Sequence, residues 1–364
     1  MKTIFILIGS LTAGGAERVS VSLAEHLASL GHNVTLVTMH GRERDFYQLS
    51  DAVPREALDL GTPHWGLGKV LANVRRINAF RRLVRRHRPD VVIGMMTSSA
   101  VMSILACWGT PAKTIVSERN FPGAKSINVF WSLLRRVSYR FADLHVVQTQ
   151  GIAEWLKITS PKEVAIIPNA VSWPVPAFLP CVRPSNYVAP SLRLILAVGT
   201  KVHQKGFDML LRAFELCAAE HNDWHLAILG IDGGALDGML HAEIADRVHV
   251  PGRVGNVGEW YARADIFVLS SRYEGFPNVL LEAMASACAS VAFDCPTGPG
   301  DLIVNGVNGL LVEAENEQAL ADAMQRTMTD AGLRQRMGAE ATSVRSTYSE
   351  SRIYGQWAQL IGEL

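Results

Sequence analysis

One pattern occurs twice in this chain and constrains its fold more than any other feature: an uninterrupted apolar run, a glycine-bearing turn, a helix and a second apolar run. The first copy is Thr3–Ile8, a turn over Gly9 to Gly15, a helix from about Glu17 to Leu30, and Asn33–Met39. The second is Arg193–Val198, a loop over Gly199 to Gly206, a helix from Phe207 to His221, and Trp224–Leu229. A strand without polar alternation is buried on both faces, the condition of a parallel sheet covered by helices. Further strands are expected at Val91–Gly94, Lys113–Ser117, Leu144–Gln148 and Ala165–Pro168, then at Val248–Pro251, Ile266–Leu269 and Ser290–Phe293. This alternation predicts an α/β chain of two doubly wound, Rossmann-like domains facing a central cleft. Ligands in such folds sit beyond the carboxyl ends of the strands.

The expected divisions are a first domain over 1–170, a linker over 171–192, a second domain over 193–348, and a C-terminal helix over 349–364 that packs back on the first domain. The linker is placed by Pro174, Pro176, Pro180, Pro184 and Pro190. A chain of 364 residues suits two domains, and 48% hydrophobic against 19% charged residues supplies a core for each. Five scattered cysteines without a C-x-x-C pair fit a reducing compartment and offer neither a disulfide framework nor a metal site. The apolar start Lys2 to Leu11 lacks a small-residue cleavage site and leads into a glycine turn, so it reads as a strand, not a secretion signal. Val91 to Ala112 is uncharged and about long enough to span a membrane. Thr97-Ser98-Ser99 in its middle predicts a helix N-cap between a strand and a short core helix instead.

The net charge of +1 hides an asymmetry. Residues 1–180 carry 21 Lys and Arg against 12 Asp and Glu, and the remainder carries 14 against 22. A first half at +9 suggests an anionic partner such as phospholipid or pyrophosphate. Nucleic acid is not expected, since no zinc-finger spacing or aromatic-interleaved basic motif is present.

The segment from Glu274 to Glu282 carries the most specific chemistry. Pro277 is placed to be the first helical residue, leaving the N–H groups of Asn278, Val279 and Leu280 free at a positive helix end. That end suits a diphosphate. Glu282, more than a turn inside the helix, can accept hydrogen bonds from vicinal hydroxyls, and Glu274 lies on the other side. A carboxylate on either side of a phosphate site fits a nucleotide sugar, whose diphosphate has a sugar at each end. Lys201 and Lys205 follow the first strand of the second half, where cations neutralise phosphate and stabilise a departing nucleoside diphosphate. Gly14-Gly15 offers a second close backbone approach at a helix start. It lacks the G-x-G-x-x-G spacing and the following acidic residue of dinucleotide-binding dehydrogenases.

On these residues the chain resembles glycosyltransferase family 4, of GT-B architecture. The matching pieces are Gly14 to Arg18, Ile167 to Val171, Lys205-Gly206, Pro251 to Val254, Glu274 to Glu282, Cys295 to Pro299 and Asn308 to Val312. It is similar to members that extend polyprenyl-diphosphate-linked glycans for capsule, O-antigen, exopolysaccharide or bacterial N-glycan. The resemblance implies a retaining transfer without metal or other cofactor, with a sugar moving from a nucleotide-sugar donor, expected to be a UDP-sugar. It implies that Glu274 binds donor-sugar hydroxyls and Glu282 the ribose. Lys205 and Lys201 would grip the diphosphate, backbone at Val254 would meet the base, and Gly275, Phe276, Pro277, Asn278 and Val279 would line the donor. Gly15 would let the first domain approach the phosphates. Three positions depart from the family pattern. Lys201 stands where arginine is usual. Arg119 stands where many relatives have histidine, and it could hold phosphate or an acceptor group. Ala287 replaces a common glycine, expected as a change in packing only.

Between Lys69 and Arg88, Val70, Val74, Ile77, Phe80 and Val84 recur at helical spacing and predict one buried face. Arg75, Arg82 and Arg86 fall opposite, with Arg76, Arg81 and Arg85 around them. A solvated basic face and a contact with anionic lipid or the acceptor's pyrophosphate both fit. Arg135-Arg136 beside Phe130 and Trp131 could add an interfacial contact. Together these features place the chain in the cytoplasm, peripheral on the inner face of the plasma membrane, with a lipid-linked glycan as acceptor. A nucleotide-sugar epimerase of the same architecture, or a non-catalytic nucleotide-sugar-binding protein, remains compatible with the residues alone.

Overall fold

A computed structural model describes the chain except residues 13, 44, 62–66, 122, 124–128 and 161, and except the side chains of 67–70, 129, 130 and 159. Contacts divide it into two compact units, residues 1–170 with 353–364, and residues 171–352.

The first unit holds a seven-stranded sheet of β1 (Thr3–Ile8), β2 (Asn33–Thr38), β3 (Arg55–Ala57), β4 (Val91–Met95), β5 (Lys113–Ser117), β6 (Leu144–Val147) and β7 (Val164–Ile166). Their spatial order is β3-β2-β1-β4-β5-β6-β7 with every pair parallel. The strand order reverses between β1 and β4, and a ligand crevice opens at such a reversal. The apolar run predicted as β1 has the expected bounds because it is flanked on both sides, by β2 and by β4. β3 was not foreseen: Arg-Glu-Ala has no strand signal, and edge pairing to β2 alone makes it extended.

Three local expectations in this unit need correction. The first helix runs Gly15–Ser29 with Gly14 as its N-cap, two residues earlier than the apolar spacing suggested. The carboxylate of Glu17 folds back into the space a side chain at Gly14 would fill. Thr97-Ser98-Ser99 is not an N-cap. The chain turns from β4 straight into the helix Met96–Cys107, with Met95 at the cap and Met96 at φ +71°. Among the described residues no helix is long and apolar enough to cross a membrane.

On the helix Leu67–His87, Phe80 and Val84 are buried as expected, but Val74 is 46% exposed while Ala72 and Arg76 are buried. Arg76 reaches the Gly61 carbonyl at 2.8 Å and Asn73 at 3.3 Å, and those bonds make a buried guanidinium tolerable. Val70 lies outside the described side chains.

The second unit holds six parallel strands: β8 (Arg193–Val198), β9 (Trp224–Leu229), β10 (Val248–Gly252), β11 (Ile266–Leu269), β12 (Ala289–Asp294) and β13 (Leu310–Glu313). The order is β10-β9-β8-β11-β12-β13, the same winding with its reversal between β8 and β11. Alternate residues of β8 feed two different cores, Ile195 and Ala197 on one face, Leu194 and Leu196 on the other. That division is why the strand reads as continuously apolar. Residues 171–192 pack on this unit: Val175, Val182 and Val188 join the second of those cores, and the Trp260 indole N–H donates to the Val182 carbonyl at 2.8 Å.

Within the first unit the helix Glu350–Glu363 sends residues 353–364 back to the sheet that opens the chain. Trp357 is fully buried with its ring 5.6 Å from the Arg119 guanidinium. Tyr354 lies 5.5 Å from the His26 ring, and the Lys2 ammonium donates to the Ile361 carbonyl at 2.7 Å.

Candidate functional site

The reversal between β8 and β11 collects the residues singled out in the second half. Past β8 the chain makes a short helix, Val202–Lys205, capped by Lys201, and leaves it through Gly206 at φ +62°. A Cβ at Gly206 would overlap the Ser270 carbonyl, so only glycine fits. Past β11 the segment 270–277 runs alongside. Ser270 Oγ donates to the Lys205 carbonyl at 2.8 Å, the Arg272 amide to Gln204 at 2.9 Å, and Gln204 Nε2 to Tyr273 at 3.3 Å. Arg272 forks onto both oxygens of Asp208 at 2.8 and 2.6 Å. That fork pulls the Asp208 carboxyl below its usual range and raises the Arg272 guanidinium. These bonds tie the two loops to each other.

Lys205 Nζ meets Glu274 Oε1 at 2.6 Å, with the two side chains 15% and 7% exposed. Ser271 Oγ donates to the same oxygen at 2.6 Å, and Thr297 Oγ1 donates to the Glu274 main-chain carbonyl. The lysine stem lies over Gly199, where a Cβ would come within 2.5 Å of Lys205 Cγ. Lys201 is exposed at the start of the same turn. Glu282 is buried in the helix Asn278–Ala285, and the Tyr261 hydroxyl donates to it at 3.1 Å. Gly275, Phe276 and Pro277 are buried between the two glutamates, with Phe276 packed 6.0 Å from the Tyr348 ring. Val254 follows the edge strand β10, half-buried against the core. Cys295 lies beneath this site, its thiol pushed up to about 12 by burial and then by the Glu274 charge, so it is inert.

The helix start differs from expectation. Pro277 is the N-cap and not the first helical residue. The Asn278 amide bonds the Phe276 carbonyl and the Leu280 amide the Pro277 carbonyl, both at 3.0 Å. Of three amides expected to be free, Val279 alone keeps an N–H with no hydrogen-bond partner among the described residues. The cationic loop and not a row of open amides is the main electropositive element.

In the first unit Gly15 opens the first helix beside β1. Arg75, Arg82 and Arg86 are all exposed along the helix Leu67–His87. Arg119 is buried just past β5. Its Nη1 donates to Asn169 at 2.6 Å, while Nε and Nη2 have no partner among the described residues. Burial brings its guanidinium down to about 10. Glu118 beside it is buried and accepts from Thr97 at 2.9 Å and from the Tyr139 hydroxyl. The interfacial reading of Arg135 fails: it is buried, stacked 4.7 Å over Trp155, while Phe130 lies outside the described side chains. Ala287 is more than a change in packing, since it holds φ +61° just past the helix Asn278–Ala285, where glycine costs least.

Sequence reasoning missed Ser271, Asp208, Arg272 and Tyr261, and gave Thr297 no role although it lies within the Cys295-to-Pro299 piece. Arg272 and Ser271 flank the glutamate motif and could have been found there. Asp208 follows the Lys205-Gly206 pair by two residues and could have been found there, whereas Tyr261 lies far from every motif and carries no local signal.

Two family models divide the chain between them. Residues 13–172 match the model described as Glycosyltransferase Family 4, and residues 193–330 match that of Glycosyl transferases group 1. The chain belongs to these family 4 glycosyltransferases. It is therefore a transferase that moves a glycosyl group, built on the GT-B fold. Among relatives, it is 27% identical over 373 residues to a Campylobacter jejuni α-1,4-N-acetyl-D-galactosaminyltransferase named for a diNAcBac-PP-undecaprenol-linked acceptor. The match covers 100% of this chain and 99% of that one. The Erwinia amylovora amylovoran biosynthesis glycosyltransferase AmsD is 25% identical, with 99% of each chain covered. Among solved structures, sucrose-phosphate synthase from Thermosynechococcus elongatus superposes with a TM-score of 0.86 at 19% identity, covering 100% of this chain and 99% of the other. Anabaena HepE in complex with UDP superposes at 0.78 and 16%, covering 100% of both.

Proposed function

We propose that this glycosyltransferase moves a hexose or N-acetylhexosamine from a UDP-sugar to a polyprenyl-diphosphate-linked glycan, with retention of anomeric configuration and without a metal ion. The observation that carries the donor half is the Lys205–Glu274 pair at the strand reversal between β8 and β11. An ammonium has three donors, so Lys205 can hold Glu274 and still reach a diphosphate oxygen. With Lys201 beside it, the loop supplies two positive charges where a leaving diphosphate accumulates negative charge, the task a divalent cation performs in other enzymes. Glu274 then faces the donor-sugar hydroxyls, Glu282 the ribose, and Val254 the base.

As the anomeric carbon–oxygen bond to the diphosphate breaks, the acceptor oxygen bonds that carbon on the same face, and its proton passes to the departing diphosphate. The acceptor half of the proposal is supported by the names of the relatives and by the exposed Arg75, Arg82 and Arg86, which suit an acceptor diphosphate or an anionic inner-leaflet surface.

The test is turnover with labelled UDP-sugars and polyprenyl-diphosphate glycans, with EDTA present and the product anomer read by NMR. Transfer that survives EDTA with the donor's configuration is expected. Inverted product, loss of activity with EDTA, or isomerised free donor without transfer would overturn it.

A further inference from the structure

Residues 39–54 join β2 to β3 with no helix or strand among the described residues. A loop of this length inside a compact unit is usually a functional one. It is fastened to the rest of the first unit at three points. The Phe46 and Tyr47 amides both donate to the Leu11 carbonyl, at 2.8 and 3.2 Å, which ties the loop to the turn after β1. The Ser50 amide and hydroxyl donate to the two oxygens of Glu25 on the helix Gly15–Ser29, at 2.7 and 2.5 Å. Arg55 donates to Thr38 Oγ1 at 3.0 Å and to the Gly41 carbonyl at 3.2 Å, and pairs with Asp45. Loop, turn and strand enclose a cavity of about 670 Å³, with the buried Leu11 and Val53 in its wall. Leu11 and Arg42 lie past the carboxyl ends of β1 and β2, the end of a doubly wound sheet where ligands bind.

That volume falls within the roughly 300–1,000 Å³ of sites that enclose a drug-sized molecule, and a disaccharide is of that size. The lining suits one. Arg42, Gln48 and Asp51 are exposed in it, planar two-pronged groups that can bridge neighbouring hydroxyls. Tyr47 is half-buried beside them, its ring at 85° to that of Phe46 and 5.0 Å away. The negative face of such a ring meets the C–H face of a pyranose favourably. The lining charges balance, Arg55 against Asp45 and Arg42 against Asp51. Asp45 Oδ1 is buried with no hydrogen-bond partner among the described residues. That oxygen repels an anion such as a diphosphate and leaves a neutral polyhydroxyl ligand unopposed. A loop already held in place binds without the cost of ordering it.

We propose that this cavity is a glycan subsite, holding a neutral segment of the acceptor about two pyranose rings long, behind the sugar that reacts. Leu11, which anchors the loop, belongs to the turn leading to Gly15, so the segment lies beside the helix start read as meeting the donor phosphates. The inference rests on the reading that the acceptor is a glycan, and adds that its length is sensed here.

Transfer kinetics with polyprenyl-diphosphate acceptors of one, two and three sugars test it. KM should fall at least tenfold from the shortest to the longest acceptor. Tyr47→Ala and Gln48→Ala/Asp51→Ala should raise KM for the longest at least tenfold, leave kcat within twofold, and remove the preference for length. Saturation-transfer NMR reads binding without donor or turnover, using methyl glycosides of glucose, galactose, N-acetylglucosamine and N-acetylgalactosamine and their disaccharides. A disaccharide should give the stronger signal and lose it in Tyr47→Ala. UDP binding and thermal unfolding should match wild type in both variants, which separates a lost subsite from a lost fold. Equal KM at every length, or wild-type KM in both variants, overturns the subsite and leaves the transferase reading standing. Absence of transfer to any lipid-linked glycan fails that reading instead, and the NMR then decides the subsite alone. A disaccharide signal that is absent, displaced by UDP, or undiminished in Tyr47→Ala overturns the proposal in either case.

Discussion

Replacing Lys205 by methionine should damage stability and turnover by separable mechanisms. The stem volume is nearly kept, so the fit over Gly199 survives. Glu274 loses its ammonium and retains Ser271 at 2.6 Å as a side-chain partner. With the partners 15% and 7% exposed, the pair is close to the buried limit, where removing one member costs about 3–5 kcal/mol. The remaining serine bond and part solvation place the expected loss near the lower figure, about 3 kcal/mol. In a unit of about 180 residues that lowers the midpoint by roughly 6–12 °C. Turnover should fall by about 10²–10³, the range for losing one preorganised group opposite a developing oxyanion.

The double variant Lys205→Met/Glu274→Gln separates the two losses. It has no buried charge left to strand, so most of the stability should return while turnover stays low. The assay is urea unfolding followed by tryptophan fluorescence, paired with labelled-donor transfer. Because the pair is shielded, its contribution should change little between low and high salt. A single variant less than 1 kcal/mol below wild type, or a double variant that regains activity, would refute the argument.

Other expectations follow from single contacts. Gly206→Ala forces φ +62° on a residue whose Cβ overlaps the Ser270 carbonyl, and should cost about 3 kcal/mol in urea unfolding. Ala287→Gly relieves a left-handed alanine and should gain up to about 1 kcal/mol, after subtracting glycine's greater freedom when unfolded. His145 is fully buried against Tyr139 and Ser160, and burial lowers its imidazole to about 4. A folded value below the unfolded 6.5 means the unfolded chain takes up the proton first. Stability is therefore lost as pH falls from about 6.5 towards 4, by as much as about 1.4 kcal/mol per pH unit from this site. His145→Gln should show a shallower acid slope in the same titration, and an unchanged slope would exclude the histidine as its source.

The sheet-forming core was legible because a strand buried on both faces has one sequence signature. Five strands, β1, β5, β8, β9 and β11, carry the predicted bounds. β3 was hidden because an edge strand of Arg-Glu-Ala follows its neighbour and not its own composition. The Glu274-to-Glu282 segment and both lysines were legible as a motif, but their mutual pairing was not. Lys205 and Glu274 are 69 residues apart, and only the winding of β8 next to β11 brings them together. The helix cap at Pro277 was misplaced by one residue, since proline spacing alone does not distinguish a cap from a first turn. Arg76 and Arg135 were read as surface groups because arginine usually is. A backbone carbonyl in one case and the Trp155 ring in the other cover the cost of burying them.

The return of residues 353–364 to the first unit has a consequence for synthesis. A ribosome releases the opening sheet early, yet the piece that sets Trp357 over Arg119 emerges only after about 180 further residues. At roughly 5–20 residues per second, that is a wait of about 10–40 s in which the buried Ile353, Tyr354, Trp357 and Ile361 are missing from the first unit. Truncated messages should therefore yield an opening half that binds chaperones, and supplying the last dozen residues as a separate peptide should release it.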